Sequence, residues 1–299
     1  MDTSFIKGII PPIITPTDNQ ERVYEPALRR IVDHVIAGGV HGILSLGSNG
    51  EFFGLAPEEQ KRAAAIVIDH AAGRVPIYFG IGSITTRECV RWASVAEKMG
   101  AQAVSILHPM FLSPNDEELY IHFKTIAEAT TLPVLLYNNP DRMVCGISAN
   151  LLERLAEVEN IVGIKESSGD MTLTAEFIRR TRLKGFKIIA GRDILILATL
   201  AYGGAGAVAS SANVVPQLVV EIYNRFMEGD LPGALEAQYR LAPMRMAYNL
   251  GSFPVVTKDY MRLLGFETGE PVRPNSRCSP DRMALLKKLL EELDAKPLA

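Results

Sequence analysis

Eight short apolar, β-branched runs recur along the chain at near-constant spacing, and this recurrence limits the fold more than any other feature. The runs cover 8–16, 42–48, 75–82, 103–109, 133–140, 161–168, 187–193 and 204–211, with starts 34, 33, 28, 30, 28, 26 and 17 residues apart. Each of the first seven is followed by a stretch able to form a helix. The stretches 25–37, 58–71 and 87–99 are the clearest, with apolar residues three and four apart. Pro57 and Ser148 read as helix starts, and Gly100 as a stop. Strands apolar on both faces belong in a parallel sheet covered by helices. Eight such units in 299 residues fit a closed barrel, which holds that length as one domain, better than an unusually large doubly wound sheet. After Ser211 the stretches 216–228, 231–248, 254–264 and 279–293 read as helices with no strand between them. The expected fold is therefore α/β: a (β/α)8 TIM barrel over 1–230 with a C-terminal helical extension over 231–299.

Charge and cysteine content narrow the class of partner. Lys and Arg number 31 against 34 Asp and Glu, which leaves no basic footprint for nucleic acid or an anionic membrane. Cys89, Cys145 and Cys278 are unclustered and odd in number, so neither a disulfide framework nor a zinc site is expected. No apolar run reaches the roughly 18 residues that span a bilayer. The first residues lack a basic segment followed by an apolar one, so no secretory signal is expected, and the cytoplasm is the expected compartment. The partner expected on these grounds is a small molecule.

In such barrels the reactive groups gather at the carboxyl ends of the strands. Lys165 ends the apolar run 161–164, on the same face as Gly163 and Ser167. A desolvated lysine is more readily neutral, and a neutral amine attacks a ketone to form an imine. A structural lysine paired with a neighbouring carboxylate fits the same position. Tyr137 ends the adjacent fifth run, where its phenol can pass protons beside Lys165; a core tyrosine is the alternative. Gly47-Ser48-Asn49-Gly50-Glu51 joins a strand to a helix with two glycines, exposing amides and a hydroxyl to a carboxylate, unless it is only a turn with an acidic helix start. Arg142 in the next loop can grip a second carboxylate, or can pair with Asp141.

Other chemistries fit poorly. Gly204-Ala205-Gly206-Ala207-Val208-Ala209 has the letters of a dinucleotide loop, but it precedes a strand-like run and opens no helix. His34, His41, His70, His108 and His122 show no ligand spacing, and neither a nucleophile elbow nor a P-loop is present. The expectation is that no cofactor and no metal take part.

Taken together, the motifs Gly47-Ser48-Asn49-Gly50-Glu51, Tyr137-Asn138-Asn139-Pro140, Gly163-Ile164-Lys165-Glu166 and Gly203-Gly204-Ala205-Gly206-Ala207-Val208, in this order, carry a resemblance. The chain resembles the dihydrodipicolinate synthase / N-acetylneuraminate lyase family of Schiff-base-forming aldolases from residue 8 to about 265. The resemblance implies that Lys165 forms an imine with pyruvate or a longer 2-keto acid and that Tyr137 is the proton-relay tyrosine. It also implies that Ser48 supplies the relay's hydroxyl, that amides around Ser48 and Asn49 hold the keto-acid carboxylate, and that Val208 lines the pyruvate pocket. A homotetramer built from two tight dimers is implied as well.

The resemblance leaves the second substrate open. Arg142 matches the arginine with which the synthases bind the carboxylate of aspartate semialdehyde. Ser48 and Asn49, however, stand where the synthase motif has two threonines, and Phe111 stands where the family has a tyrosine that reaches into the neighbouring subunit. Phenylalanine has no hydroxyl, so that relay is broken. Pro57 and Gln60 lie near the positions of the histidines tied to lysine feedback, so feedback regulation is not implied. The first reading is a class I lyase acting on a 2-keto-3-deoxy sugar acid or a similar acidic 2-keto acid. The synthase itself is the alternative, and a 2-keto acid dehydratase or a non-catalytic keto-acid sensor stands further off.

Overall fold

The apolar runs become eight parallel strands: β1 (Gly8–Ile9), β2 (Ile43–Ser45), β3 (Ile77–Ile81), β4 (Ala103–Leu107), β5 (Val134–Asn138), β6 (Ile161–Glu166), β7 (Lys187–Ala190) and β8 (Gly206–Ala207). The computed structural model describes residues 1–295. Strands pair in chain order from β2 to β8, and β8 pairs with β1. The ring closes just beyond β1, where Leu44 donates to the Pro11 carbonyl at 2.9 Å and Ile13 to the Leu44 carbonyl at 3.1 Å. This is the (β/α)8 barrel expected from the spacing.

The first and last strands are much shorter than their apolar runs. Pro11, Pro12 and Pro16 have no N–H to give to a ladder, so regular pairing stops after Ile9. At β8, Gly206 is packed so tightly on β1 that a Cβ would sit 2.1 Å from the Gly8 carbonyl oxygen. Inside the barrel, Ile10, Leu44, Tyr78, Leu135, Ile189 and Val208 form one apolar cluster below the strand ends. A larger cluster lies between strands and helices.

Helices α1 (Glu25–Ala37), α2 (Pro57–Ala71), α3 (Thr86–Lys98), α4 (Asp116–Glu128), α5 (Ala149–Leu155), α6 (Met171–Thr181), α7 (Ile196–Ala201) and α8 (Pro216–Met227) surround the barrel. Their starts follow local chemistry. The Thr85 hydroxyl accepts from Glu88 N, the Ser148 hydroxyl from Leu151 N, and Asn115 with Glu118 forms a capping box. α1 buries Leu28, Ile31, Val32 and Val35 on one side, as the periodicity required. Beyond α8 come α9 (Leu231–Met246), α10 (Val255–Leu263) and α11 (Pro280–Glu292). Residues 296–299 of the extension as read from the sequence lie outside the described residues. Among the described residues no helix is long and apolar enough to cross a membrane.

Candidate active site

Strands β5 and β6 pair with Tyr137 directly opposite Lys165. Alternation sends Leu135 and Tyr137, and likewise Gly163, Lys165 and Ser167, toward the barrel axis. The ammonium of Lys165 is 4.0 Å from the centre of the Tyr137 ring, and the two residues are only 5% and 7% exposed. A Cβ on Gly163 would meet the Lys187 carbonyl oxygen at 2.5 Å, so the glycine permits close packing of β6 on β7. Glu166, the nearest carboxylate in sequence, is directed to the other face. It accepts from Asn138 Nδ2 at 2.6 Å and Ser168 N at 2.5 Å, so it organises loops and leaves the amine to the cavity.

Burial alone would push the Tyr137 phenol up. The adjacent Lys165 charge, with the Ser48 hydroxyl beside the phenol, outweighs burial and holds it below the usual phenol range. Asn139 Nδ2 donates to the Tyr137 oxygen at 3.1 Å and fixes the ring's direction. The arrangement can accept a proton from an amine and return one to a nearby oxygen.

Ser48-Asn49-Gly50 forms a buried 3-10 turn after β2. The next residue, Glu51, opens only a single further 3-10 turn, Phe52–Gly54, and not an α-helix. It takes a left-handed conformation (φ 51°) with its carboxylate 1% exposed, paired with the equally buried Lys258 of α10. Asn49 is tied to two distant segments: its Nδ2 donates to Ser210 Oγ at 2.9 Å, and its Oδ1 accepts from Thr257 Oγ1 at 2.8 Å. Arg142 is exposed at the mouth, its guanidinium 4.6 Å from the centre of the Phe253 ring. The pairing of Arg142 with Asp141 does not form, because Asp141 pairs with Arg192.

These groups surround a cavity of about 230 Å³ at the carboxyl ends of the strands, walled by Asn49, Tyr137, Arg142, Lys165, Arg245 and Tyr248 among others. Ser48 is buried and adjoins the Tyr137 phenol without lining the cavity itself. Val208 belongs to the apolar cluster beneath it. Phe111 stands apart: it is 85% exposed with φ 71°. Sequence reasoning missed Ser210, Arg245, Tyr248 and Phe253, since three of the four come from helical or turn segments of the tail. Only the Ser210 position, at the end of the eighth run, carried a signal. Among the described residues no cluster of three His, Cys, Asp or Glu side chains is arranged to hold a metal ion.

A lysine amine buried against a phenol, at the carboxyl end of a parallel barrel, defines a class I lyase that works through a Schiff base. A model of the "Dihydrodipicolinate synthetase family" matches residues 5–293, and the chain belongs to that family. It is 37% identical over 294 residues to a 4-hydroxy-tetrahydrodipicolinate synthase of Methanopyrus kandleri, covering 98% of each chain. Its fold is similar to the crystal structure of dihydrodipicolinate synthase from Aquifex aeolicus, with TM-score 0.94, 31% identity and coverage of 98% of this chain and 99% of that one. It is also similar to YagE of E. coli K12, a member of the same family solved in complex with pyruvate. There the TM-score is 0.92 and the identity 31%, over 97% and 99% of the two chains.

Proposed function

We propose that this enzyme condenses pyruvate, held as an imine on Lys165, with aspartate semialdehyde. The observation that carries the covalent step is the Lys165 ammonium lying 4.0 Å from the Tyr137 ring centre in a buried pocket. The Lys165 proton passes to the Tyr137 phenolate. The free amine adds to C2 of pyruvate, and the carbinolamine loses its hydroxyl as water once Tyr137 returns the proton. The Tyr137 phenolate left by that step takes a C3 proton to give the enamine, whose C3 bonds to the aldehyde carbon while Tyr137 returns the proton to the new alkoxide. Water then hydrolyses the imine and frees Lys165. The turn at Ser48–Asn49 supplies amides for the pyruvate carboxylate, Val208 closes the methyl side from below, and Arg142 meets the carboxylate of the semialdehyde.

The names of the relatives support this condensation over the cleavage of a 2-keto-3-deoxy sugar acid, which ranks first on the sequence motifs. Cleavage is retained as a second reading because Phe111 lacks the relay hydroxyl and Asn49 replaces a threonine. By the family resemblance the enzyme works in the cytoplasm as a dimer of dimers. The test has two parts. Incubation with pyruvate and borohydride, followed by peptide mapping, should give one reduced adduct on Lys165 and none in Lys165→Ala. An active Lys165→Ala protein would overturn the mechanism. Turnover of pyruvate with aspartate semialdehyde, compared with pyruvate release from keto-deoxy sugar acids, then decides between the two substrates.

A further inference from the structure

Among the described residues, three buried polar atoms of the cavity wall have no hydrogen-bond partner: Ser167 Oγ, just after β6, and, from the tail, Arg245 Nε at the end of α9 and Tyr248 Oη in the turn that follows. The Arg245 guanidinium lies over the Tyr248 ring, 4.7 Å from its centre. Its nearest carboxylate, Asp193, is 3.8 Å away, too far for a hydrogen bond, and is already occupied. Asp193 accepts from Ser210 N at 3.2 Å, Ser211 N at 2.7 Å and Ser211 Oγ at 2.5 Å. Asp193 therefore balances the charge of Arg245 without using its N–H. The hydroxyls beside Tyr248 donate elsewhere, Thr257 to Asn49 and Ser211 to Asp193, and neither is aligned to accept from the Tyr248 O–H. Burial, with Asp193 adding to it, pushes the Tyr248 phenol upward, so it stays a donor.

Buried donors are rarely left without a partner, and a pair of them facing one cavity marks where a ligand brings the acceptor. We propose that Arg245 and Tyr248 bind an oxygen on the second substrate's chain beyond its aldehyde carbon and so select oxygenated aldehydes over plain ones. The inference rests on the Schiff-base reading above. Pyruvate does not fill this role: it is fixed by its C2 on Lys165 and its carboxylate at the Ser48–Asn49 turn, which leaves the wall built by the tail to the other reactant. Because Asp193 neutralises Arg245, the pair offers N–H and O–H groups with little net charge. It therefore suits a hydroxyl as well as a carboxylate oxygen.

The test compares three aldehydes against pyruvate in the full-length enzyme: aspartate semialdehyde, glyceraldehyde and propionaldehyde. Tyr248→Phe should raise KM for the oxygenated aldehydes about tenfold, the size of one lost hydrogen bond. KM for propionaldehyde and pyruvate, and the borohydride adduct, should not change. Arg245→Met should act in the same direction, but it also strips Asp193 of its counter-charge, so Tyr248→Phe is the decisive variant. Whichever oxygenated aldehyde suffers more identifies carboxylate or hydroxyl as the group bound. Equal losses on all three aldehydes, with a lower melting temperature, would mean a structural role and overturn the inference. So would an unchanged KM, or an unaltered enzyme that uses propionaldehyde as well as the others. Absence of the pyruvate adduct in the unaltered enzyme would instead bring down the Schiff-base reading, and this inference with it.

Discussion

Replacing Lys258 with methionine tests whether the tail holds the strand-two turn in place. Lys258 and Glu51 are each 1% exposed, so solvent screening takes little from their interaction. Glu51 Oε1 accepts from Val272 N at 2.8 Å, whereas Oε2 has the ammonium beside it but no aligned hydrogen bond. Burial pulls the Lys258 pKa down in spite of Glu51, a sign of how costly an unpaired charge would be here. Lys258→Met keeps the side chain's bulk but leaves a buried carboxylate with one hydrogen bond. Breaking such a pair costs about 3–5 kcal/mol. At about 2 °C per kcal/mol for a chain of this size, the melting temperature should fall by roughly 6–10 °C. Urea unfolding followed by circular dichroism gives the same quantity independently. Removing the second charge as well, in Glu51→Gln/Lys258→Met, should recover at least half of the loss, because the orphaned carboxylate is gone. A single variant that loses less than about 1 kcal/mol, or a double variant no more stable than the single, would refute the reasoning.

Two further outcomes follow from the titrating groups. Burial holds His108 and His122 down at about 4, with His122 adding to the effect on His108. Their folded values lie below the unfolded value of about 6.5, so their contribution is complete above that pH and is lost as pH falls toward 4. Unfolding free energy should drop on the order of 1–2 kcal/mol per histidine between pH 7 and pH 5, and His122→Asn should flatten part of that slope; a flat profile in the unaltered protein would contradict this. Ser48 helps hold the Tyr137 phenol down. In Ser48→Ala the limb of the kcat–pH profile that belongs to Tyr137 should therefore move to higher pH, whereas Tyr137→Phe should remove the limb and lower kcat by about 10²–10⁴-fold. An unmoved limb in Ser48→Ala would separate that hydroxyl from the relay.

The barrel was legible because strands buried on both faces must be apolar throughout, and eight such runs stand out from amphipathic helices. Lys165 and Tyr137 were legible for a related reason: a polar group closing an apolar run has nowhere to go but the strand end. Three things were hidden. Prolines after Ile9 cut the ladder short while leaving the apolar run intact. Ion pairing is a matter of distance, and nothing local says that Asp141 goes to Arg192 and not to its neighbour Arg142. Arg245, Tyr248 and Lys258 sit in helical or turn segments whose period looks the same whether the polar face meets water or a pocket. Only the folded tail brings them over residues from the first half of the chain.

The joining of Asn49 to Thr257, and of Glu51 to Lys258, also bears on the order of events at the ribosome. The amine at position 165 leaves the exit tunnel well before the segment that roofs it. Until that segment docks, the Lys165 side chain lies in a bowl that lacks the wall supplied by Arg245, Tyr248 and Phe253. Closure of the pocket over position 165 is thus delayed until the tail has docked.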